Sequence, residues 1–330
     1  MNRKPVSQQL KPPGLIPSLM AGFNTVTNNL GLILFPVILD LIIWFGPQLK
    51  LEKYFSPIYA RLFQTLMAYN NAEMQNLLAA SQSDLDVFLT KINLTSSLST
   101  FPIGVPSLLS GRGVNENPIG TAIIYELPSL GTIFLVTSLF IGFGLLLGSI
   151  YLHSIAYKTN EKNENSYFYG IVKKITNSMI LSILLVFLIV IIIVPVLFIT
   201  SFMAIISPIA AQAIFFISSI GFIWLLIPLV FSPHGIFLNN QSIIQSITHS
   251  IRVVRTYLPG TGFFLLAAII IAQGLDILWS AAPSSSWLTL VGITGHAFIY
   301  TALISASFIY YQKTEAWAKD LLIKVKSLKK

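Results

Sequence analysis

The sequence predicts an all-α polytopic membrane protein with six transmembrane helices, an outer helical cap and amphipathic cytoplasmic helices. Hydrophobic residues make up 54% of the 330 residues and charged residues only 10%, whereas a typical soluble domain carries about 25% charged residues. Mean hydropathy is +0.76. The uncharged stretches are also long enough to cross a bilayer, which requires roughly 20 apolar residues for about 30 Å of hydrocarbon.

The uncharged stretches define six spans in one membrane domain over residues 1–330. Residues 175–233 carry no Asp, Glu, Lys or Arg, and this length predicts a hairpin that breaks near Ser207 and Pro208. Residues 256–312 carry one charge, Asp276, and break at the Pro/Ser-rich residues 282–286. The predicted spans are residues 30–46, 128–152, 179–203, 209–232, 260–280 and 287–311.

The distribution of Lys and Arg predicts the orientation of these spans. If the N-terminus is cytoplasmic, 15 of the 20 Lys and Arg residues lie on the cytoplasmic side and five lie outside. Cytoplasmic loops carry an excess of basic residues. We therefore expect a multi-pass protein of the cell (inner) membrane with both termini in the cytoplasm.

The segment 47–127 is the one sizeable extramembrane region, and we predict an extracytoplasmic loop or cap. Helical spacing of apolar residues over 51–80 indicates one or two amphipathic helices. The stretch 93–118 is rich in Ser, Pro, Gly and Asn and predicts loop. The region is too small and too poor in periodic apolar residues for a robust independent domain, so we expect it to pack over the outer ends of the spans.

Three cytoplasmic segments have the pattern of interfacial helices: residues 15–29, 241–257 and the tail 312–330. In 241–257 the apolar stripe is predicted to comprise Ile244, Ile247, Ile251 and Val254. His249, Arg252 and Arg255 lie off this stripe and form a candidate partner surface. The basic amphipathic tail is expected to bind anionic lipids of the inner leaflet. Lipid anchoring is favoured over calmodulin-like or nucleic-acid binding.

Polar residues inside the spans are the candidate functional residues. Asp40, Gln273, Asp276 and His296 all fall in the outer half of the predicted bilayer. Because ionisable groups within a membrane are costly, one hypothesis is a shared polar cavity in which Asp40 or Asp276 pairs with His296 to bind a proton or a cation. The alternative is that these groups only form hydrogen bonds between or within helices.

Two pairs of small residues predict close helix packing. Gly144 and Gly148 are four residues apart in the second span, and Gly292 and Gly295 lie in the sixth. Small residues allow the backbones of transmembrane helices to approach each other closely. We expect this packing to account for both pairs without a ligand.

The sequence lacks the motifs of several enzyme classes. It has no Cys, which excludes disulfides, thiolate metal sites and cysteine nucleophiles. It has no Gly-rich phosphate loop, no His-Glu-x-x-His and no Gly-x-Ser-x-Gly motif. The sequence therefore predicts a protein that is not an enzyme and needs no cofactor or metal.

Two segments carry a resemblance to known membrane proteins. Residues 34–47, from Leu34-Phe35-Pro36-Val37 to Gly46-Pro47, resemble the first span of uncharacterised bacterial six-span integral membrane proteins. Residues 246–255, followed by Pro259-Gly260 and a span, are similar to a unit in the membrane domain of some glycerophosphodiester phosphodiesterases. The catalytic portion of those enzymes has no counterpart here. The resemblance implies six spans and transfers neither an activity nor a binding residue.

Two classes of function remain open at this point. The first is a non-enzymatic membrane scaffold or accessory subunit, whose membrane-protein partner or second copy engages the helix at 241–257. The second is a small-solute or proton-coupled transporter that uses the outer-half polar cavity. A lipid-modifying enzyme is a third and weaker option. Nothing in the sequence points to nucleic acid as a partner.

Overall fold

The computed structural model describes residues 12–68, 72–160 and 166–328, and the fold is all-α. The α-helices are α1 (Leu15–Thr27), α2 (Leu34–Phe45), α3 (Glu52–Ala68), α4 (Ala72–Lys91), α5 (Leu130–Thr159), α6 (Ile171–Ile206), α7 (Pro208–Leu226), α8 (Ser232–Asn239), α9 (Ile243–Thr256), α10 (Leu258–Trp279) and α11 (Thr289–Leu328). Short 3₁₀ turns occupy Leu30–Ile33, Leu94–Leu98 and Ile227–Leu229.

Four short strands lie between α2 and α5. They are β1 (Gln48–Lys50), β2 (Glu116–Asn117), β3 (Gly120–Thr121) and β4 (Ile124–Glu126). Strands β1 and β4 pair in parallel, with Leu49 opposite Tyr125. Strands β2 and β3 form an antiparallel pair. These strands bring together the beginning and the end of the segment 47–127, the predicted outer region, next to the first residues of α5.

Five helices of the described residues are long and apolar enough to cross a membrane, and a bent pair gives six if its halves count as one span. The bent pair consists of Leu15–Thr27 and Leu30–Phe45, at an angle of 89°. Helix α2 has 12 residues, about 18 Å of helix, which is too short to cross the bilayer alone. The predicted first span, 30–46, is therefore one half of a bent pair that forms either a broken span or a re-entrant loop, and the protein is a multi-pass membrane protein.

Helices α6 and α11 extend well beyond the predicted spans. Helix α6 has 36 residues and α11 has 40. The tail predicted as a separate surface helix over 312–330 instead continues the last span without a break to Leu328, while residues 329–330 lie outside the described residues. No Gly or Pro follows Gly295, so nothing in the sequence ends this helix early. The tail extends away from the spans as part of one long helix.

The outer loop after Leu98 enters the helix bundle. Ile103, Val105, Leu108 and Leu109 are buried and join the main core with side chains of α2, α5 and α11. A Cβ atom on Gly148 of α5 would lie 2.5 Å from the Cα atom of Gly104 in this loop. Irregular backbone at membrane depth is tolerated where it is buried in protein, and this loop meets that condition.

The glycine pair of α5 therefore packs against a loop, and not against a helix as the sequence analysis expected. A Cβ atom on Gly144 would lie 2.5 Å from the carbonyl oxygen of Leu98. Because any side chain at Gly144 or Gly148 would occupy the space of this backbone, the two glycines form the floor on which the loop rests. The small-residue pattern correctly indicates a close approach but does not identify the approaching segment.

The rest of the outer region caps the start of α5. Leu51, Leu94, Leu127 and Ile133 form a separate apolar cluster there. The hydroxyl of Tyr59 in α3 donates a hydrogen bond to the carboxylate of Asp86 in α4, which joins the two helices. Along α3, however, Ile58, Leu62 and Leu66 share one face and are exposed.

The buried face of α9 overlaps the predicted stripe only in part: Val254 is buried and Ile247 packs against the core, but Ile244 is exposed. Ser246, Ser250, Val253 and Val254 are buried, whereas Ile244 is 76% exposed. The Ser250 hydroxyl donates to the carbonyl oxygen of Pro228 at 2.7 Å, and the Ser246 hydroxyl donates to that of Ser232. Pro228 lies in the break between α7 and α8, where carbonyl groups lack helical partners, so a serine of α9 and not an isoleucine faces it.

Candidate functional site

The candidate functional site lies between α10 and α11, near the predicted outer surface. The Nδ1 atom of His296 lies 2.7 Å from Oδ1 of Asp276. The Tyr300 hydroxyl donates to Oδ2 of Asp276 at 3.1 Å, and the amide of Gln273 donates to the Tyr300 oxygen at 3.4 Å. We call Gln273, Asp276, His296 and Tyr300 the outer polar cluster.

Glycines allow α10 and α11 to approach closely enough to form this cluster. A Cβ atom on Gly292 would lie 2.2 Å from the carbonyl oxygen of Trp279, and one on Gly295 would lie 2.8 Å from the Trp279 ring. Both glycines thus accommodate Trp279 at the end of α10. This explains the presence of Gly292 and Gly295 in the turn of helix that precedes His296, and here the expected helix-to-helix packing is present.

Burial differs sharply between Asp276 and His296, the hydrogen-bonded pair at the centre of the cluster. The His296 side chain is 3% exposed and that of Asp276 is 22% exposed. The His296 ring stacks on the Tyr300 ring with 4.1 Å between centroids. Its Nε2 atom is buried and has no hydrogen-bond partner among the described residues. The cluster is therefore anchored by a buried imidazole and is open to its surroundings at the carboxylate.

Asp40 does not join this cluster. Its carboxylate accepts hydrogen bonds from the backbone N–H groups of Leu108 at 2.9 Å and Leu109 at 3.1 Å, and from the Ser107 hydroxyl. The side chain is fully buried. It is close enough to His296 to interact with it electrostatically, but its bonding partners belong to the outer loop. Of the four predicted residues, Gln273, Asp276 and His296 belong to one cluster, whereas Asp40 binds the backbone of the loop.

Tyr300 is the cluster member that sequence reasoning missed. It lies four residues after His296 on the same helix, and such positions share one helix face. A search for polar side chains one turn from His296 identifies it. Among the described residues, no group of three or more His, Cys, Asp or Glu side chains is arranged to hold a metal ion.

The predicted cytoplasmic partner surface is only partly at the surface. Nδ1 of His249 lies 2.7 Å from the Tyr311 hydroxyl, and Nε2 lies 3.7 Å from Oε1 of Glu315. Burial lowers the pKa of His249, and the nearby Glu315 carboxylate only partly offsets this effect. His249 therefore joins α9 to α11, while Arg252 and Arg255 are exposed.

Comparison of the chain with protein-family models, with curated proteins and with solved structures gave no match. The resemblance to the membrane domain of glycerophosphodiester phosphodiesterases stays a prediction.

Proposed function

We propose that this protein is a non-enzymatic membrane scaffold or accessory subunit that binds a partner through the outer helix α3. The observation that carries the proposal is the face formed by Ile58, Leu62 and Leu66. Ile58 is 53% exposed and Leu62 is 57% exposed. Contiguous exposed apolar surface on the extramembrane part of a protein is typical of an interaction site.

The role of Asp40 supports this proposal over a transport pathway. The sequence hypothesis of a shared cavity allows either Asp40 or Asp276 to pair with His296, and Asp276 forms that pair without Asp40. The Asp40 carboxylate instead holds the backbone of the outer loop. Each hydrogen bond to an ionised carboxylate contributes about 1.5–3 kcal/mol. This use of an intramembrane acid fits a framework that fixes the position of the outer region.

A photo-crosslinking experiment in native membranes tests the proposal. A photoreactive residue at Leu62 is compared with one at Gln64, which is also exposed but points to the opposite side of α3. We expect a discrete protein adduct from Leu62 and none from Gln64. An adduct of twice the chain mass identifies a second copy as the partner. Lipid adducts alone at Leu62, or equal protein adducts at both positions, would contradict the proposal.

The predicted cytoplasmic face supports contact with anionic lipids. A cavity of about 570 Å³ opens between α1, α5 and α11. Lys158 and Lys313 line it with several amide side chains, and no acidic residue is among the lining residues that the structure describes. Basic pockets between membrane helices on this side favour anionic headgroups. We propose that the inner-leaflet contact expected for the tail includes this cavity, with Arg252 and Arg255 as further basic contacts.

A proton-coupled transporter is the second candidate function. The Asp276–His296 pair favours it, because paired ionisable residues inside a membrane are typical of proton relays. The test is uptake of candidate solutes into proteoliposomes under a pH gradient. Proton-dependent uptake that is abolished in Asp276→Asn supports this candidate. Uptake that is unchanged in both Asp276→Asn and Asp40→Asn excludes a role for these acids.

A further inference from the structure

We propose that a small cavity at the predicted cytoplasmic ends of α5, α6 and α8 binds a phosphate-type oxyanion. The cavity has a volume of about 140 Å³. Pockets for drug-sized ligands measure roughly 300–1,000 Å³, so this one suits a group of a few atoms. The lining includes His153, Asn160, Ser166, Lys174 and Asn240, and none of the described lining residues is acidic.

Lys174 supplies the positive charge of the cavity. Its side chain is partly buried, and among the described residues no carboxylate lies within 4.0 Å of its ammonium group. Glu161 and Glu164 lie outside the described residues. An ammonium group removed from water without a partner destabilises a protein. A bound anion would supply the counter-charge that the described residues do not.

His153 is the second group facing this charge. Its ring is 2% exposed, and Nε2 lies 2.8 Å from the carbonyl oxygen of Tyr167. Nδ1 is buried and has no partner among the described residues. Lys174 lies close enough to interact electrostatically with His153. An oxyanion between the two would accept a hydrogen bond from Lys174 and, when the imidazole is doubly protonated, a second one from Nδ1–H.

The backbone around the cavity brings polar groups toward it. Asn240 has φ 52° and Gly170 has φ 65°, left-handed conformations that Asn and Gly adopt more readily than other residues. The Asn240 amide packs over Gly170, where an added Cβ atom would lie 3.3 Å from its nitrogen. Helix α6 begins at Ile171, and the positive end of its dipole adds to the potential for an anion.

Two kinds of ligand can supply the oxyanion. One is inorganic phosphate or a soluble phosphate ester from the cytoplasm. The other is the phosphodiester of an anionic lipid headgroup, since the cavity lies at the level where the predicted spans leave the membrane. Both present the same charged oxygen atoms to Lys174 and His153, so the experiment must separate them.

The test measures thermal unfolding of the full chain with and without these anions. In detergent, inorganic phosphate is titrated at constant ionic strength against the wild type, Lys174→Gln and Lys173→Gln. Lys173 is the matched control because it is adjacent, exposed and not part of the lining. We expect phosphate to raise the unfolding temperature of the wild type and Lys173→Gln. Its apparent affinity should fall about tenfold or more in Lys174→Gln, since the main charged donor is lost.

A parallel series in nanodiscs identifies a lipid source. Discs of phosphatidylcholine alone are compared with discs that contain phosphatidylglycerol. Stabilisation by phosphatidylglycerol that requires Lys174, without an effect of free phosphate, also supports the site and assigns it to a headgroup. No stabilisation by either anion, or equal stabilisation of the wild type and Lys174→Gln, overturns the proposal.

A purely structural role of Lys174 gives a different pattern. In that case Lys174→Gln lowers the unfolding temperature even without added anion, and Lys174→Arg does not restore phosphate binding. The proposal predicts that anion-free Lys174→Gln is at least as stable as the wild type, and that Lys174→Arg regains phosphate binding. His153→Gln provides an independent variant and should also weaken phosphate binding. Unchanged binding in His153→Gln would contradict the role given to that residue.

Discussion

The Asp40 carboxylate and the Leu108 backbone N–H group form a hydrogen bond of 2.9 Å between the first membrane helix and the outer loop. This contact links residues 68 positions apart in the chain. It explains an acid inside a membrane helix without a transport pathway. The loop carries backbone donors into the helix bundle, where an unsatisfied donor costs several kcal/mol, and Asp40 accepts two of them.

We therefore expect Asp40→Ala to destabilise the protein strongly. The change leaves the N–H groups of Leu108 and Leu109 buried without an acceptor, which should cost about 2–5 kcal/mol. Thermal unfolding in detergent measures the effect. Asp84→Asn on the exposed surface of α4 is the control and should change stability by less than about 0.5 kcal/mol. Equal unfolding temperatures for Asp40→Ala and the wild type would show that the loop does not depend on this contact.

The glycines of α5 provide a matched pair of substitutions. Gly148→Ala places a Cβ atom 2.5 Å from Gly104, whereas the space around Gly142 is open. We expect Gly148→Ala to destabilise by about 1–3 kcal/mol because the loop must move. Gly142→Ala should be neutral or stabilising by up to about 1 kcal/mol, since Ala favours helix. Similar unfolding temperatures for the two variants would rule out close contact between the loop and Gly148.

Removing the Tyr300 hydroxyl tests the geometry of the outer polar cluster. Tyr300→Phe deletes one hydrogen bond to the Asp276 carboxylate while keeping the ring stacked on His296. We expect a loss of about 1.5–3 kcal/mol, as for other bonds to charged groups. In an Asp276→Asn background the same change should have a smaller effect, because the charged acceptor is gone. Equal losses in both backgrounds would mean that Tyr300 does not act through Asp276.

The neutral form of His249 should make stability depend on pH. Burial lowers its pKa from the ordinary value of 6.5, so the unfolded chain binds a proton more readily than the folded protein. The stability contributed by neutral His249 is therefore fully present above pH 6.5 and is lost as pH falls through the lower pKa of the folded state.

Thermal unfolding between pH 7.5 and 5 in the wild type and in His249→Gln measures this contribution. The wild type should lose more stability than the variant over this range. Because other histidines contribute equally to both proteins, the difference between the two curves reports His249. Parallel curves would contradict neutral burial of His249.

Much of the fold follows from the sequence, because lipid imposes a length on each apolar segment. The uncharged stretch is too long for one span, and it breaks at Ser207 and Pro208 as the sequence predicts. The Ser207 side chain caps the start of α7. The break before α2 is not visible in the apolar pattern. It arises where Asn29 adopts a non-helical conformation, and a hydropathy pattern does not encode the 89° bend that results.

Part of the candidate site could likewise be predicted from the sequence, and part could not. Depth within the bilayer brings Asp276 and His296 to the same level, and their contact follows once α10 and α11 are neighbours. Asp40 lies at a similar depth, but its partners are backbone groups of a loop without periodicity, so no spacing in the sequence indicates them. For α9, the apolar stripe predicts the buried face only in part: Val254 is buried, but the same face also carries Ser250, which bonds to the Pro228 carbonyl at a helix break, and Ser246, which bonds to that of Ser232.

The two proposals place the partner surface on α3 outside the cell and the anion site near Lys174 in the cytoplasm. Both therefore require that α3 and Lys174 lie on opposite sides of the membrane. Because the chain has no Cys, single cysteines can be placed at exposed positions and labelled with a membrane-impermeant maleimide. Gln64→Cys should react in intact cells, and Asp320→Cys should react only after the membrane is permeabilised. Reaction of both positions in intact cells, or of neither, would contradict the topology from which both proposals follow.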